Sequence, residues 1–131
     1  MKEQYKTLRL LDHPNVCKAY YMFINEDSKD VHIVTELFEY GTLKEYLERK
    51  GKLDQIETVK IISKVVNGDQ YLHQKGVCHR DLKPENIMYD PETESLKIID
   101  FEIAKRRKYN SEKFAMWSNT GTLHYKAPEM F

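Results

Sequence analysis

The sequence contains few of the residues that would indicate a disulfide-stapled, zinc-binding or membrane-spanning protein. Its two cysteines, Cys17 and Cys78, are far apart and form no disulfide framework, so reduced thiols are expected. The five histidines show neither a close Cys/His pair nor the H-x-x-x-H spacing of a zinc-binding helix. No apolar run approaches the ~20 residues that span a bilayer, and the residues after Met1 are polar. These absences predict a cytoplasmic protein without a membrane span.

The sequence also lacks a dominant charge. Lysine plus arginine and aspartate plus glutamate both number 21, so the formal net charge is zero and nothing favours nucleic acid or an anionic membrane. The basic run at residues 105–108 is the exception. Such runs can bind nucleic acid or direct nuclear import, but a solvated loop is the simpler interpretation. A chain of 131 residues is one domain or a piece of one.

Hydrophobic spacing predicts a mixed order of helices and strands. Residues 1–11 carry apolar side chains at helical spacing, and this helix should stop before Pro14. Residues 16–24 and 31–37 are β-rich runs separated by a polar turn, which predicts an antiparallel hairpin. We therefore expect an α+β fold.

Two helices are predicted after the hairpin. Thr42 and Glu45 have the spacing of a capping box, so a short helix should run from there to Gly51. A longer helix is expected between a cap at Asp54 and a stop at Gly76. Its predicted core-facing stripe consists of Ile61, Val65, Gly68 and Leu72. Two short strands should follow, at residues 87–89 and 96–99.

Residues 79–86, which read His-Arg-Asp-Leu-Lys-Pro-Glu-Asn, are the most informative segment. Asp100-Phe101 follows an apolar run further along, and Ala127-Pro128-Glu129 comes near the end. An Asp or Asn in a turn usually folds its own loop, so each residue alone would be assigned to structure. The complete string, together with the two later motifs, favours a chemical role.

The segment matches, letter for letter, the H-R-D-L-x-x-x-N catalytic loop of protein kinases, and the later motifs resemble that family's Asp-Phe-Gly and Ala-Pro-Glu landmarks. The chain thus resembles a protein kinase over almost its whole length. The resemblance implies a partial kinase fold, from helix αC and the hinge strands of the small lobe through the upper part of the helical large lobe to the activation segment. Residues 1–37 would form the small-lobe remnant and hinge, and residues 38–131 the large-lobe portion.

The resemblance also implies ATP-dependent transfer of phosphate to a serine or threonine hydroxyl of a protein substrate, with ATP and Mg²⁺ as cofactors. Asp81 would orient and deprotonate that hydroxyl. Lys83 matches the lysine that serine/threonine-specific members place near the transferred phosphate. Asn86, which completes the catalytic loop, and Asp100 match the metal positions, where Mg²⁺ needs hard oxygen ligands.

The nucleotide pocket is assigned by the same resemblance. Thr35 would close the rear of the pocket, Glu36 and Phe38 would belong to the hinge that binds adenine, and Met88 would lie beneath the ring. Because the hinge binds adenine through backbone groups, the region is predicted more firmly than any one side chain.

The activation segment is expected between Glu102 and Ala127. Arg80 is typical of family members that are switched by phosphorylation, because an added charge of about −1.5 to −2 can be captured by arginine. Ser118 is the expected phosphorylation site of an upstream kinase, and Thr120 is the alternative. Four further family positions are assigned to structural support: His79, Phe101, Thr122 and Glu129.

Three departures from the family pattern leave two interpretations open. The sequence holds no Gly-rich loop and no third-strand lysine, Gln4 stands where the αC glutamate is expected, and Glu102 replaces the glycine of Asp-Phe-Gly. The first interpretation is a segment of an active serine/threonine kinase, inactive when isolated. The second is a non-catalytic, pseudokinase-like binding module or a truncated remnant. Residues 11–16 and 121–125 resemble the calcium/calmodulin-dependent group.

Overall fold

Two helices and three two-stranded antiparallel sheets make up the part of the protein that the structure describes. The structure is a computed structural model, and it describes residues 9–25, 27–28, 30–100, 105–106 and 123–125. In chain order the elements are β1 (Ala19–Ile24), β2 (Val31–Thr35), α1 (Leu43–Lys50), α2 (Gln55–Gln74), β3 (Val77–Cys78), a 3₁₀ turn (Pro84–Asn86), β4 (Ile87–Asp90), β5 (Ser95–Ile98), β6 (Lys105–Arg106) and a second 3₁₀ turn (Leu123–Tyr125). This mixed content confirms the predicted α+β class.

Strands β1 and β2 form the predicted hairpin, but both are shorter than the sequence pattern indicates. β1 begins at Ala19 rather than at residue 16, because the preceding residues pair with β5 instead. The Cys17 N–H donates to the Ile98 carbonyl at 2.9 Å, and Val16 forms a parallel bridge with the same residue. The segment before β1 therefore joins the hairpin to the β4–β5 sheet.

The two helices have the caps that the sequence predicts. Thr42 Oγ1 accepts from the Glu45 N–H at 3.3 Å, and Glu45 Oε2 accepts from the Thr42 N–H at 2.6 Å, which completes the capping box of α1. Gly51 ends α1 with a φ of 81°, a left-handed conformation that favours glycine. Asp54 caps α2 by accepting from the Glu57 N–H at 2.8 Å.

Helix α2 contributes to both hydrophobic clusters of the described residues. Its predicted stripe is confirmed, because Ile61, Gly68 and Leu72 are buried and Val65 is half-buried. One cluster contains Leu11, Val16, Ala19, Leu72 and Val77. The other contains Leu43, Ile61, Ile87, Tyr89 and Leu96. A second apolar row of α2 is exposed: Ile56, Val59, Ile62 and Val66. Among the described residues neither helix has the length and apolar composition of a membrane crossing.

The basic run at residues 105–108 falls only partly within the described residues. Lys105 and Arg106 form β6, which pairs with β3 through Cys78 and Val77. Half of the run is thus part of a short sheet, where a solvated loop was expected.

Gly68 lets α2 pass close to the segment before β1. A Cβ at this position would lie 2.8 Å from the Asn15 carbonyl oxygen and 2.9 Å from Ile98 Cδ1, both closer than normal contacts. We expect Gly68→Ala to lower the free energy of unfolding, because overpacking costs about 1–3 kcal/mol and exceeds the gain in helix propensity of about 1 kcal/mol. Chemical denaturation would measure the change.

Asn67→Ala is the matched control, because Asn67 is the exposed neighbour of Gly68 in the same helix. This variant should unfold at the same or a slightly higher denaturant concentration. If both alanine variants stabilise the protein equally, the close approach at Gly68 is not a constraint.

Candidate active site

The segment that carries the predicted catalytic residues is a loop held at both ends by the core. Val77 in β3 and Ile87 in β4 are both buried, so the chain is fixed just before residue 79 and just after residue 86. Within the loop the Asn86 N–H donates to the Lys83 carbonyl at 2.9 Å and forms a 3₁₀ turn. Arg80 has a φ of 65°, a conformation that is uncommon outside glycine and often found at functional sites.

His79 connects this loop to the end of β5. Its side chain is 1% exposed. Its Nε2 donates to the Ile99 carbonyl at 2.7 Å, and its Nδ1 accepts from the Asp81 N–H at 3.2 Å. An Nδ1 that accepts a hydrogen bond carries no hydrogen, so the ring hydrogen is on Nε2. His79 therefore holds the backbone of Asp81 against the residue before Asp100, which is a structural role.

Asp81 is the centre of a compact polar group with Lys83 and Asn86. Asn86 Nδ2 donates to the Asp81 carbonyl at 2.9 Å and to Asp81 Oδ2 at 3.1 Å. Lys83 Nζ lies 2.9 Å from the same Oδ2, and the two side chains are only 20% and 13% exposed. The hydrogen bond to Asp81 raises the pKa of Lys83 above its ordinary value. The structure thus brings together three of the predicted site residues, with an oriented carboxylate beside a cation.

Asp100 reaches the same region through β5. The Ile99 N–H donates to the Asn86 carbonyl at 3.0 Å, so the two segments run side by side at this point. Asp100 follows directly, with an exposed side chain and a φ of 65°. The loop and the end of β5 are thereby placed next to each other.

The donor chemistry of Asn86 and Asp100 fits Mg²⁺. Asn86 uses its Nδ2 for Asp81, and its Oδ1 is the atom that could bind a cation, as could the carboxylate of Asp100. Both are hard oxygen donors. In the described ranges no group of three or more His, Cys, Asp or Glu residues could hold a metal by itself. The pair therefore suits an ion that takes its remaining ligands from phosphate oxygens and water, as Mg²⁺ usually does.

The predicted hinge begins at the end of β2, and Glu36 is its most strongly bonded residue. Its carboxylate accepts from Lys97 Nζ and from the Lys18 N–H, at 2.9 and 2.7 Å to Oε1. Thr35 Oγ1 donates to the Glu36 carbonyl at 3.2 Å, and the Thr35 side chain is exposed. Phe38 is half-buried, and its ring centroid lies 5.8 Å from that of Tyr40.

Met88, the residue predicted to lie beneath adenine, is half-buried in β4. It forms an isolated antiparallel bridge with Thr42, and the neighbouring Tyr89 N–H donates to the Gly41 carbonyl at 3.1 Å. Gly41 and Thr42, which follow the predicted hinge in the chain, therefore lie along β4 next to Met88.

Two lysines that the sequence did not single out contact this site. Lys97 pairs with Glu36, and Lys44 Nζ lies 3.3 Å from Glu85 Oε1, which connects α1 to the catalytic loop. The pKa of Glu85 is lowered by its own backbone N–H and by Lys44. In the sequence, Lys97 stands out only as a charged residue inside an apolar strand. This pattern does not reveal its partner, because Glu36 is distant in the sequence.

Several residues with predicted roles lie outside the described ranges, so their roles stay predictions. They are Phe101, Ser118, Thr120, Thr122 and Glu129, together with the departures Gln4 and Glu102.

Comparison with known proteins establishes the family. The protein kinase domain family matches residues 1–131. Calcium-dependent protein kinase 5 of Plasmodium falciparum (isolate 3D7) is 34% identical over 132 residues, which covers 99% of this chain and 22% of that protein. Calcium-dependent protein kinase 3 of Plasmodium yoelii yoelii is 35% identical over 98% of this chain and 24% of its own length. The probable serine/threonine-protein kinase HSL1 of Saccharomyces cerevisiae is 33% identical over 94% of this chain and 8% of its own length.

The chain therefore belongs to the protein kinase domain family, and the relatives it resembles are named calcium-dependent or serine/threonine-protein kinases. The predicted family and fold are confirmed. Protein kinases generally use ATP and Mg²⁺ and act on protein substrates. The chain spans less than a quarter of the length of these relatives.

The two hydrogen bonds of His79 predict a large structural effect for its replacement. His79→Phe keeps the ring size but leaves the Ile99 carbonyl and the Asp81 N–H without this partner. Because each unmet buried polar group costs about 1–3 kcal/mol, we expect the free energy of unfolding to fall by at least ~2 kcal/mol. Thermal or chemical denaturation would measure it.

His73→Phe is the control, because His73 is exposed near the end of α2. Its effect should be within the ~0.5 kcal/mol typical of surface positions. Equal effects of the two substitutions would contradict the structural role of His79.

Proposed function

We propose that this segment supplies the catalytic loop, metal ligands and hinge of an active ATP-dependent protein serine/threonine kinase. The observation that carries the proposal is the group formed by Asp81, Lys83 and Asn86. In it a mostly buried carboxylate is held by an amide and faces a lysine at 2.9 Å. Phosphoryl transfer requires mainly positioning and neutralisation of charge, and this group offers both.

In the proposed reaction Asp81 accepts the proton of a serine or threonine hydroxyl while that oxygen bonds to the γ-phosphorus. The bond from the γ-phosphorus to the bridging oxygen breaks, and ADP leaves with its electron pair. Lys83 stays close to Asp81 and stabilises negative charge on the transferred group. Asn86 and Asp100 would hold Mg²⁺, which would neutralise phosphate charge, and ATP supplies the phosphoryl group.

The adenine would bind along residues 36–38, with Thr35 behind it and Met88 below. Support for this part comes from Gly41 and Thr42, which follow the hinge in the chain and lie along β4 next to Met88. Residues 1–37 would be the small-lobe portion and hinge, and residues 38–131 the large-lobe portion. We propose a cytoplasmic location and no nucleic-acid partner.

Regulation would act through Arg80 and a phosphorylated residue, with Ser118 as the first candidate and Thr120 as the second. The left-handed backbone at Arg80 supports this proposal, because it is a conformation kept at functional positions. An upstream kinase would then be a partner.

A non-catalytic binding module is the second candidate. It is favoured by Gln4, which cannot form the ion pair expected of the αC glutamate, and by Glu102 in place of glycine after Asp100-Phe101. Such a module would bind Mg²⁺ and ATP without transferring phosphate.

Asp81→Asn separates the two candidates. In the protein that carries this segment, the substitution should lower kcat for phosphate transfer to serine- and threonine-containing peptides by roughly 10²- to 10⁴-fold, the usual contribution of a general base. Mg²⁺-dependent ATP binding should change little. Labelled ATP would report transfer and calorimetry would report binding.

Asp27→Asn is the control for Asp81→Asn, because Asp27 is an exposed residue of the hairpin turn. It should transfer phosphate at the unsubstituted rate. ATP binding without any transfer by the unsubstituted protein would favour the non-catalytic module.

A further inference from the structure

The carboxylate of Glu36 forms the most extensive side-chain contact between the hinge and the rest of the described structure. Lys97 Nζ bridges both of its oxygens, at 2.9 Å to Oε1 and 2.8 Å to Oε2. Oε1 also accepts from the Lys18 N–H at 2.7 Å. The side chains of Lys97 and Glu36 are only 21% and 19% exposed, so solvent screens this pair less than a surface ion pair.

Lys97 owes its position to the alternation of β5. Its neighbours Leu96 and Ile98 are buried, with exposures of 1% and 0%. Successive side chains of a strand point to opposite faces, so Lys97 points away from the core cluster and meets Glu36, although 61 residues separate the two. The contact depends on the tertiary fold and not on local sequence.

The stretch from Glu36 to Gly41, which begins with the predicted hinge residues 36–38, is attached to the β4–β5 sheet at both ends. At its start Glu36 is bonded to Lys97 of β5, and at its end Gly41 accepts from the Tyr89 N–H of β4. Between these points Leu37 is 86% exposed, whereas Phe38 and Tyr40 are half-buried. The Tyr40 hydroxyl lies 3.2 Å from Ser95 Oγ of β5, within hydrogen-bond distance. The stretch is therefore held against one sheet at Glu36, at Tyr40 and at Gly41.

The same sheet leads to the metal-binding position. β5 ends at Ile98, and the next residue, Ile99, donates to the Asn86 carbonyl just before Asp100. The Glu36–Lys97 pair thus connects the hinge, which is expected to contact adenine, to strand β5. The same strand leads to Asp100, which is expected to bind the cation on the phosphates.

We infer that Lys97 is a positioning residue for the nucleotide, which holds the hinge through Glu36 in the arrangement that binds adenine. The inference rests on the proposed function. It assigns Lys97 to ATP binding and not to phosphoryl transfer, because the contacts of Asp81 with Lys83, Asn86 and His79 do not include it.

Lys97→Met is the primary test, in the protein that carries this segment. Methionine keeps the length of the side chain and removes the charge, so the hinge would have to be ordered by the ligand. We expect the ATP Kd, measured by calorimetry, and the ATP KM to rise about tenfold, a loss typical of weakened preorganisation. The kcat should stay within about threefold of the unsubstituted value.

Lys60→Met is the matched control. Lys60 pairs with Glu94 at 2.7 Å and is about half exposed, on α2. The same substitution there removes an ion pair without touching the hinge, and it should leave both the ATP Kd and kcat unchanged.

Lys97→Arg provides the rescue. It keeps the positive charge and leaves the Glu36 carboxylate with its hydrogen bond from the Lys18 N–H, so its ATP Kd should lie closer to that of the unsubstituted protein than the Kd of Lys97→Met does. If Lys97→Met does not fold, Glu36→Gln decides, because glutamine removes the ion pair and can still accept from the Lys18 N–H: a raised ATP Kd supports the inference, and an unchanged Kd overturns it.

Two results overturn the inference, and they are distinguishable. If the unsubstituted protein binds ATP and Lys97→Met binds it equally well, or loses kcat with an unchanged KM, Lys97 does not position the nucleotide and the proposed function stands. If the unsubstituted protein binds no nucleotide in Mg²⁺, the proposed function fails as well.

Discussion

Ile98 pairs with the N-terminal segment through both of its backbone groups, and the arrangement of the site depends on this pairing. Its N–H donates to the Asn15 carbonyl and its carbonyl accepts from the Cys17 N–H, both at 2.9 Å. Its fully buried side chain would contact any Cβ placed on Gly68 of α2. The β1–β2 hairpin, the long helix and the sheet that delivers Asp100 therefore meet at one residue. Their relative positions could not change without breaking backbone hydrogen bonds in the core.

Ion pairs also stabilise this arrangement. Lysine–carboxylate pairs surround the β4–β5 sheet and the loop before it, among them Lys83–Asp81, Lys97–Glu36, Lys44–Glu85 and Lys60–Glu94. In two of them both partners are at most about one-fifth exposed. Removal of one partner from such a pair leaves a poorly solvated charge. It therefore lowers the free energy of unfolding more than the loss of a surface pair does. These pairs connect the hinge, α1 and α2 to the sheet and to the loop before it.

Local signals in the sequence were sufficient for much of the fold. The capping box at Thr42, the cap at Asp54 and the glycine stops depend on neighbouring residues, so their geometry follows from short patterns. The catalytic-loop string was equally recognisable, although its roles stay predictions. Pairings between distant segments were not visible. Val16 and Cys17 have good strand composition, yet tertiary contact with Ile98 removes them from the hairpin. The partner of Lys97 was hidden for the same reason, because nothing in a linear pattern brings residue 36 to residue 97.

The two hydrogen bonds of His79 also limit how many conformations the site can adopt. One ring links the Ile99 carbonyl to the Asp81 N–H, and both ring nitrogens are used. A rotation of the main chain at Ile99, the step that would redirect Asp100, must turn the imidazole or break its bond. If the imidazole turns, its hydrogen bond from the Asp81 N–H is disturbed; if the bond breaks, the Ile99 carbonyl loses this partner. Asp81 and Asp100, the proposed proton acceptor and metal ligand, are therefore coupled through one side chain, and a site in which only one of them is in place carries the energetic cost of an unmet buried group.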